Sequence, residues 1–175
     1  MKLDLTHRFA CSAETLTAMI FDDELNRRIH LEDLGFDDYK LVDEWKEGAI
    51  SCRRLLIVPK LDAPKAIRRL IGDRFTYREE WRCDLAARIY NNRMVPSVLA
   101  DKITIEWEER LRDDGDGACI RSAVVSIEAR MFGIGRLVEH FAAKSVEEGN
   151  SKWAAAIERR HGAWVADRAA RQAHA

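Results

Sequence analysis

The chain has 175 residues, 47% of them hydrophobic and 34% charged, with a formal net charge of -1. That length suits one domain whose own core suffices without a disulfide or metal staple, and the balanced charge excludes nucleic-acid binding through a bulk positive field. The charged opening, Met1 to Arg8, lacks the apolar core of a signal peptide, and no run reaches the ~18 apolar residues of a membrane span, so a cytoplasmic protein is expected.

Residues 3–9 alternate Leu3, Leu5, His7 and Phe9 against polar neighbours, the pattern of a half-buried strand. Ser12 is a good N-cap for a helix over 13–20. Asp22-Asp23 then puts negative charge at the start of a second short helix, stopped at Gly35. Residues 38–46 alternate again, with Tyr39, Leu41, Asp43 and Trp45 on one face. Glu47-Gly48 turns the chain into a strand over 49–58, ended by Pro59. On that strand Arg54 faces inward if Ile50, Cys52, Leu56 and Val58 do. Pro64 opens a short helix over 65–71, closed by Gly72. Residues 74–83 set Phe75, Tyr77, Glu79, Trp81 and Cys83 on one face, and a weaker strand over 88–95 ends at Pro96. The strongest alternation runs over 101–112, with Ile103, Ile105, Trp107, Glu109 and Leu111 together. A turn at Asp113-Asp114-Gly115-Asp116-Gly117 leads into a last strand over 118–129. After Gly133 the period becomes helical. Ile134, Leu137, Val138, Phe141, Ser145, Gly149, Trp153, Ala156 and Ile157 share one stripe of a helix reaching His161, with Gly162 as C-cap and 163–175 as a frayed tail.

Strands joined by short turns pair antiparallel, and an apolar face on each places the long helix on one side and water on the other. The fold class expected is therefore α+β: a curved antiparallel sheet of about seven strands around a long C-terminal helix, with two short helices after the first strand. The widely spaced Cys11, Cys52, Cys83 and Cys119 form no CxxC pair and no zinc spacing, so reduced buried thiols are expected.

This order, with Ser12-Ala13-Glu14-Thr15-Leu16, Tyr77-Arg78-Glu79-Glu80-Trp81, Ile103-Thr104-Ile105-Glu106-Trp107 and Phe132-Gly133-Ile134-Gly135-Arg136-Leu137-Val138-Glu139, resembles the START-like, or SRPBCC, superfamily and its helix-grip fold over residues 1–162. The chain looks like a bacterial branch of that superfamily and is more loosely similar to sterol- and lipid-transfer domains. The resemblance implies an apolar cavity between sheet and helix. The superfamily also holds hormone receptors, aromatase/cyclases and chaperone-binding modules, so membership does not select a function.

Tyr39, Leu41, Trp45, Phe75, Tyr77, Trp81, Ile103, Ile105 and Trp107, with Ile134, Leu137, Val138 and Phe141 from the helix, either fill a core or line that cavity. Arg54 either pairs with Glu79 or Asp43, lies in water at the sheet end, or joins Glu79 in anchoring a ligand hydroxyl or carboxylate. Glu79, flanked by aromatic residues at i−2 and i+2, leads as anchor.

The function expected is non-catalytic binding, with or without transfer, of a hydrophobic lipid- or sterol-like molecule, with no cofactor or metal. One alternative is a cyclase- or hydratase-type enzyme in the same cavity, with His7 and Glu79 as acid and base. The other is a protein-binding module with a collapsed cavity. Gly133, Gly135 and Gly149 read as close packing or as a hinge. Lys65, Arg68 and Arg69, with Arg53 and Arg74, read as a solvated face or as a transient membrane contact. His174 belongs to the tail.

Overall fold

The strands form because apolar and polar residues alternate over short stretches broken by glycine and proline. They are β1 (Lys2–Phe9), β2 (Asp38–Glu47), β3 (Ile50–Val58), β4 (Tyr77–Asp84), β5 (Ile89–Pro96), β6 (Ile103–Asp113) and β7 (Cys119–Ala129). In the computed structural model, which describes residues 1–72 and 74–173, they make one antiparallel sheet in the order β1-β7-β6-β5-β4-β3-β2. His174 lies outside the described residues. The helices are α1 (Ala13–Ile20), α2 (Asp23–Arg28) running into a π-turn over Ile29–Asp33, α3 (Lys65–Ile71) and α4 (Gly135–Ala173). The expected α+β helix-grip arrangement is the one observed.

Side chains fix the short helices. Ser12 Oγ accepts from the Thr15 amide at 3.1 Å and Asp22 Oδ1 from the Leu25 amide at 2.9 Å, each satisfying an orphan donor at a helix start. The buried Asn26 amide donates to the carbonyls of Met19 and Ile20 at 2.9 Å, tying α2 to the end of α1. Phe9, Leu16, Met19, Ile29, Tyr90 and Ile157 form one core cluster; Ile105, Val125, Ile127, Val138 and Ala143 form a second beneath the start of α4. All four cysteines are free and buried.

Three local expectations are corrected. Gly162 does not end α4, which continues to Ala173. An interior glycine costs roughly 1 kcal/mol, but this stretch is held from outside. Arg160 bonds Asp33 at 2.6 Å and Glu32 at 2.7 Å, and Trp164 Nε1 donates to Asp22 at 2.7 Å. β4 begins at Tyr77, not at residue 74. The third correction moves site residues. Leu41 pairs with Leu55 but Asp43 pairs with Arg54, so Val42 is an extra residue, a β-bulge. A one-residue slip exchanges the two faces of a strand. Tyr39 and Leu41 face the concave side, whereas Asp43 and Trp45 emerge on the outer one.

The parity of β3 also differs from expectation, because both of its faces carry buried apolar groups, Cys52 on one and Ile57 on the other. Arg53, Leu55 and Ile57 stand opposite the inward Trp81, Glu79 and Tyr77 of β4. Arg54 therefore lies outside, 3.9 Å from Asp43 and 3.7 Å from Glu80, with its guanidinium over the Trp45 ring.

Candidate functional site

Between the concave face of the sheet, α3, the π-turn and α4 lies a cavity of about 220 Å³. An apolar cavity near 150 Å³ holds benzene, and drug-sized pockets run from about 300 Å³ upward, so this one suits a compact ligand. Ten of the residues expected at the site line it: Tyr39, Phe75, Tyr77, Glu79, Trp81, Ile103, Ile105, Trp107, Val138 and Phe141. Five do not. Leu41 packs beside the Tyr39–Leu55–Ile57 cluster, Ile134 packs on the second core cluster, Trp45 and Arg54 lie on the outer face beyond the bulge, and Leu137 is 45% exposed on the solvent side of α4. The helix turns Val138, Phe141, Ala142, Ser145 and Val146 inward, so the stripe loses Leu137 and takes in Ala142 and Val146.

The polar floor holds most of the chemistry, and much of it was not anticipated. Arg121 of β7, only 4% exposed, reaches Glu109 of β6 through two bonds of 2.6 Å. The same carboxylate accepts from Trp107 Nε1 at 2.7 Å, and Arg121 Nη2 donates to Asn150 of α4 at 2.9 Å. The guanidinium carbon sits 5.1 Å from the Trp153 ring centroid. This bidentate, cross-braced pair is the geometry that offsets the desolvation of two buried charges; only Arg121 Nη1 lacks a partner.

Arg53 of β3 is 2% exposed and bonded far less completely. Its Nη1 donates to the Ile20 carbonyl at 3.1 Å. Asp23 and Glu44 approach only to 3.8 and 3.7 Å, beyond hydrogen-bond reach, and Nε and Nη2 are sealed from water with no acceptor. Phe21 lies under its guanidinium. Burial also excludes Arg53 from the basic surface face proposed from sequence.

Glu79 stands between these arginines. Its Oε2 accepts from Trp81 Nε1 at 2.9 Å, and burial pushes its carboxyl up to about 7 despite that donation. His30, from the π-turn, also lines the cavity. Burial lowers its imidazole to about 4, and Nδ1 lies 2.7 Å from the Asn26 carbonyl. A carbonyl only accepts, so we assign the proton to Nδ1, leaving Nε2 of the neutral ring as an acceptor. Tyr39 stacks on this ring at 4.4 Å, and burial raises the Tyr39 and Tyr77 hydroxyls above their ordinary value. His7, paired with Glu79 in the enzymatic alternative, is placed elsewhere. It is not among the lining residues, and burial and the Arg121 charge lower its imidazole.

Arg53, Arg121, Asn26, His30 and Asn150 are thus the site residues that sequence reasoning missed. A signal existed for Arg121: an inward Glu109 needs a cation, and the 113–117 turn brings Arg121 opposite Leu111, diagonal to Glu109. For His30 none existed, because no local pattern marks a π-turn.

At this geometry the comparisons with known proteins agree. A family model described as "Protein of unknown function (DUF2505)" matches residues 4–160. Among proteins with curated descriptions none matches. Solved structures share the fold at low identity. The Zhui aromatase/cyclase from Streptomyces sp. R1128 superposes with a TM-score of 0.63 at 12% identity, over 91% of this chain and 94% of that one. Norcoclaurine synthase from Thalictrum flavum, solved with dopamine and hydroxybenzaldehyde, gives 0.64 at 12%, over 92% and 87%. A START superfamily protein from Mycobacterium smegmatis gives 0.58 at 16%, over 91% and 95%. The expected START/SRPBCC fold is therefore the observed one.

Proposed function

The chain belongs to the DUF2505 family, and we propose that it binds a compact hydrophobic molecule whose polar end is a hydrogen-bond acceptor, a carboxylate or carbonyl, without transforming it. The observation that carries this reading is Arg53: a cavity-lining guanidinium with two N–H-bearing nitrogens unmet and sealed from water. Such groups are rare in folded proteins because each unmade bond costs roughly 1–3 kcal/mol, and an acceptor on a ligand would recover it. The apolar walls supply affinity at roughly 25 cal/mol per Å² buried, and the floor sets orientation. A lipid-type chain with an acidic or carbonyl end suits about 220 Å³ better than a rigid sterol. Four free thiols fit work in a reducing compartment such as the cytoplasm.

A second reading is favoured by one observation. A carboxyl poised near 7 and a neutral imidazole lining one cavity are matched to proton transfer at neutral pH, as an enzyme of cyclase or hydratase type requires.

One experiment tests both. The purified protein is weighed by native mass spectrometry, its contents are extracted, and the emptied protein is challenged with a panel of fatty acids, aromatic acids and sterols. A bound acid recovered unchanged supports the carrier. An acid recovered altered by wild type but not by Glu79→Gln supports the enzyme. No binding across the panel would end both readings.

A further inference from the structure

Phe132 is 106% exposed, the most exposed large hydrophobic residue in the chain, and Leu137 follows it one helical turn later at 45%. This is not a loose loop end. Gly133 takes φ +74°, a conformation that L side chains rarely adopt. A Cβ on Gly135 would lie 2.4 Å from the Ala129 carbonyl oxygen, so that position admits only glycine. The Met131 amide donates to the Ala129 carbonyl, and the Gly135 amide to that of Met131, both at 3.0 Å; the Arg130 amide donates to the Lys102 carbonyl at 2.8 Å. The turn between β7 and α4 is therefore fixed by bonds and glycine geometry in a shape that holds an aromatic ring out in water. That exposure is recovered only when something apolar covers the ring.

What surrounds the ring says what covers it. Arg130, Arg136, Lys102, Arg68 and Arg69 are exposed, and among the described residues none of them forms an ion pair, although the chain as a whole is at -1. Glu128, Asp101 and Asp62 are the exposed carboxylates on the segments that carry these cations. Met131, Ile134, Leu99, Leu70 and Ile71, on the segments that carry these cations, all pack against one core cluster. A fully exposed ring flanked in sequence by Arg130 and Arg136, neither of them in an ion pair among the described residues, presents apolar surface and positive charge together. It has the form of side chains that enter the boundary layer of an anionic bilayer, the ring in the acyl region and the cations at the phosphates.

We propose that the β7–α4 turn docks this protein on an anionic lipid surface, with Phe132 as the inserting residue and Arg130 and Arg136 as its main charge contacts. Leu99, Ile71 and Val138 of the cavity wall belong to the same end of the molecule, so docking would set that end against the lipid. The docking face rests on the exposed turn and its charges, and its test is independent of what the cavity holds.

The test is flotation of the full chain with vesicles of phosphatidylcholine alone and of phosphatidylcholine with phosphatidylglycerol, at low and high salt. Wild type is expected to float with the anionic vesicles only, and to be released by salt. Phe132→Ser is expected to lower the bound fraction about tenfold, and Arg130→Glu with Arg136→Glu to abolish it. Val165→Ser, another exposed apolar site far along α4, is expected to change nothing. Phe132→Trp serves as a second probe, its added emission moving to the blue on anionic vesicles. Flotation of Phe132→Ser at the wild-type level would overturn the proposal, as would an absence of vesicle binding at low salt. A change in self-association on size exclusion without vesicle binding would assign the turn to a protein contact instead and equally overturn it.

Discussion

Arg121 and Arg53 are both buried arginines on the concave face of one sheet, and the fold treats them oppositely. Arg121 is clamped by a bidentate carboxylate, a side-chain amide and an aromatic ring. Arg53 keeps one carbonyl, and its nearest carboxylates, Asp23 and Glu44, stand beyond hydrogen-bond reach on side chains that are about half exposed. A closed network stabilises a unique arrangement of β6, β7 and α4. An open one leaves unmet donors on a residue that lines a cavity. The same residue type is thus fully braced at one end of the floor and, on the proposed reading, a ligand anchor at the other, and the contrast lies in the partners, not in burial.

The sharpest way to break this comparison is to remove each cation in turn. Arg121→Met strands Glu109 as a buried, unpaired carboxylate and is expected to cost about 3–5 kcal/mol in urea unfolding, whereas the double change with Glu109→Leu recovers most of it. Arg53→Met leaves Asp23 and Glu44, whose side chains are 43% and 52% exposed, and is expected to move stability by less than about 1 kcal/mol. Equal costs would erase the distinction.

The next largest effect concerns pH. In the folded protein Glu79 holds its proton up to about 7 against an ordinary 4.5, so the stability it lends is full below 4.5 and is lost as pH rises through 7. His30 does the reverse. It stays neutral down to about 4 against an ordinary 6.5, so its contribution is full above 6.5 and is lost as pH falls through about 4. Between 4.5 and 6.5 the two slopes oppose each other at about 1.4 kcal/mol per pH unit each. Glu79→Gln removes one of them. Its stability relative to wild type is expected to rise by up to about 3 kcal/mol from pH 4.5 to 7, read from unfolding midpoints across that range. A relative stability that stays flat would mean that Glu79 is not held protonated.

A smaller effect is expected in binding. Arg53→Met should weaken an acidic ligand about tenfold, close to 1.4 kcal/mol, in a titration that leaves the fold untouched. Smallest of all, Leu137→Ser and Trp45→Leu, both outside the cavity, should change affinity less than about twofold.

Most of the fold was legible because β4 and β6 alternate cleanly. Tyr77, Glu79 and Trp81, and Ile105 and Trp107, fall where period two puts them. β2 and β3 resisted for two physical reasons. The bulge at Val42 involves no glycine, so nothing in Leu41-Val42-Asp43 announces it. In β3 both faces carry apolar groups: Cys52, on the outer face, is as buried as Ile57 on the inner one, and the alternation has no unique parity. That single slip put Arg54 at the site in place of Arg53. The long helix was read one residue too wide at Leu137 and too short at Gly162. The contacts that extend it, Arg160 to Asp33 and Trp164 to Asp22, are non-local.

The most direct measurement compares a medium-chain fatty acid with the alcohol of the same chain length, titrated into wild type and Arg53→Met at several pH values. If the open arginine is the anchor, wild type binds the acid at least about tenfold more tightly than the alcohol. That preference should grow as pH falls below about 7 and Glu79 takes up its proton, and it should vanish in Arg53→Met. Equal affinity of wild type for acid and alcohol, or a preference that survives in Arg53→Met, would contradict it.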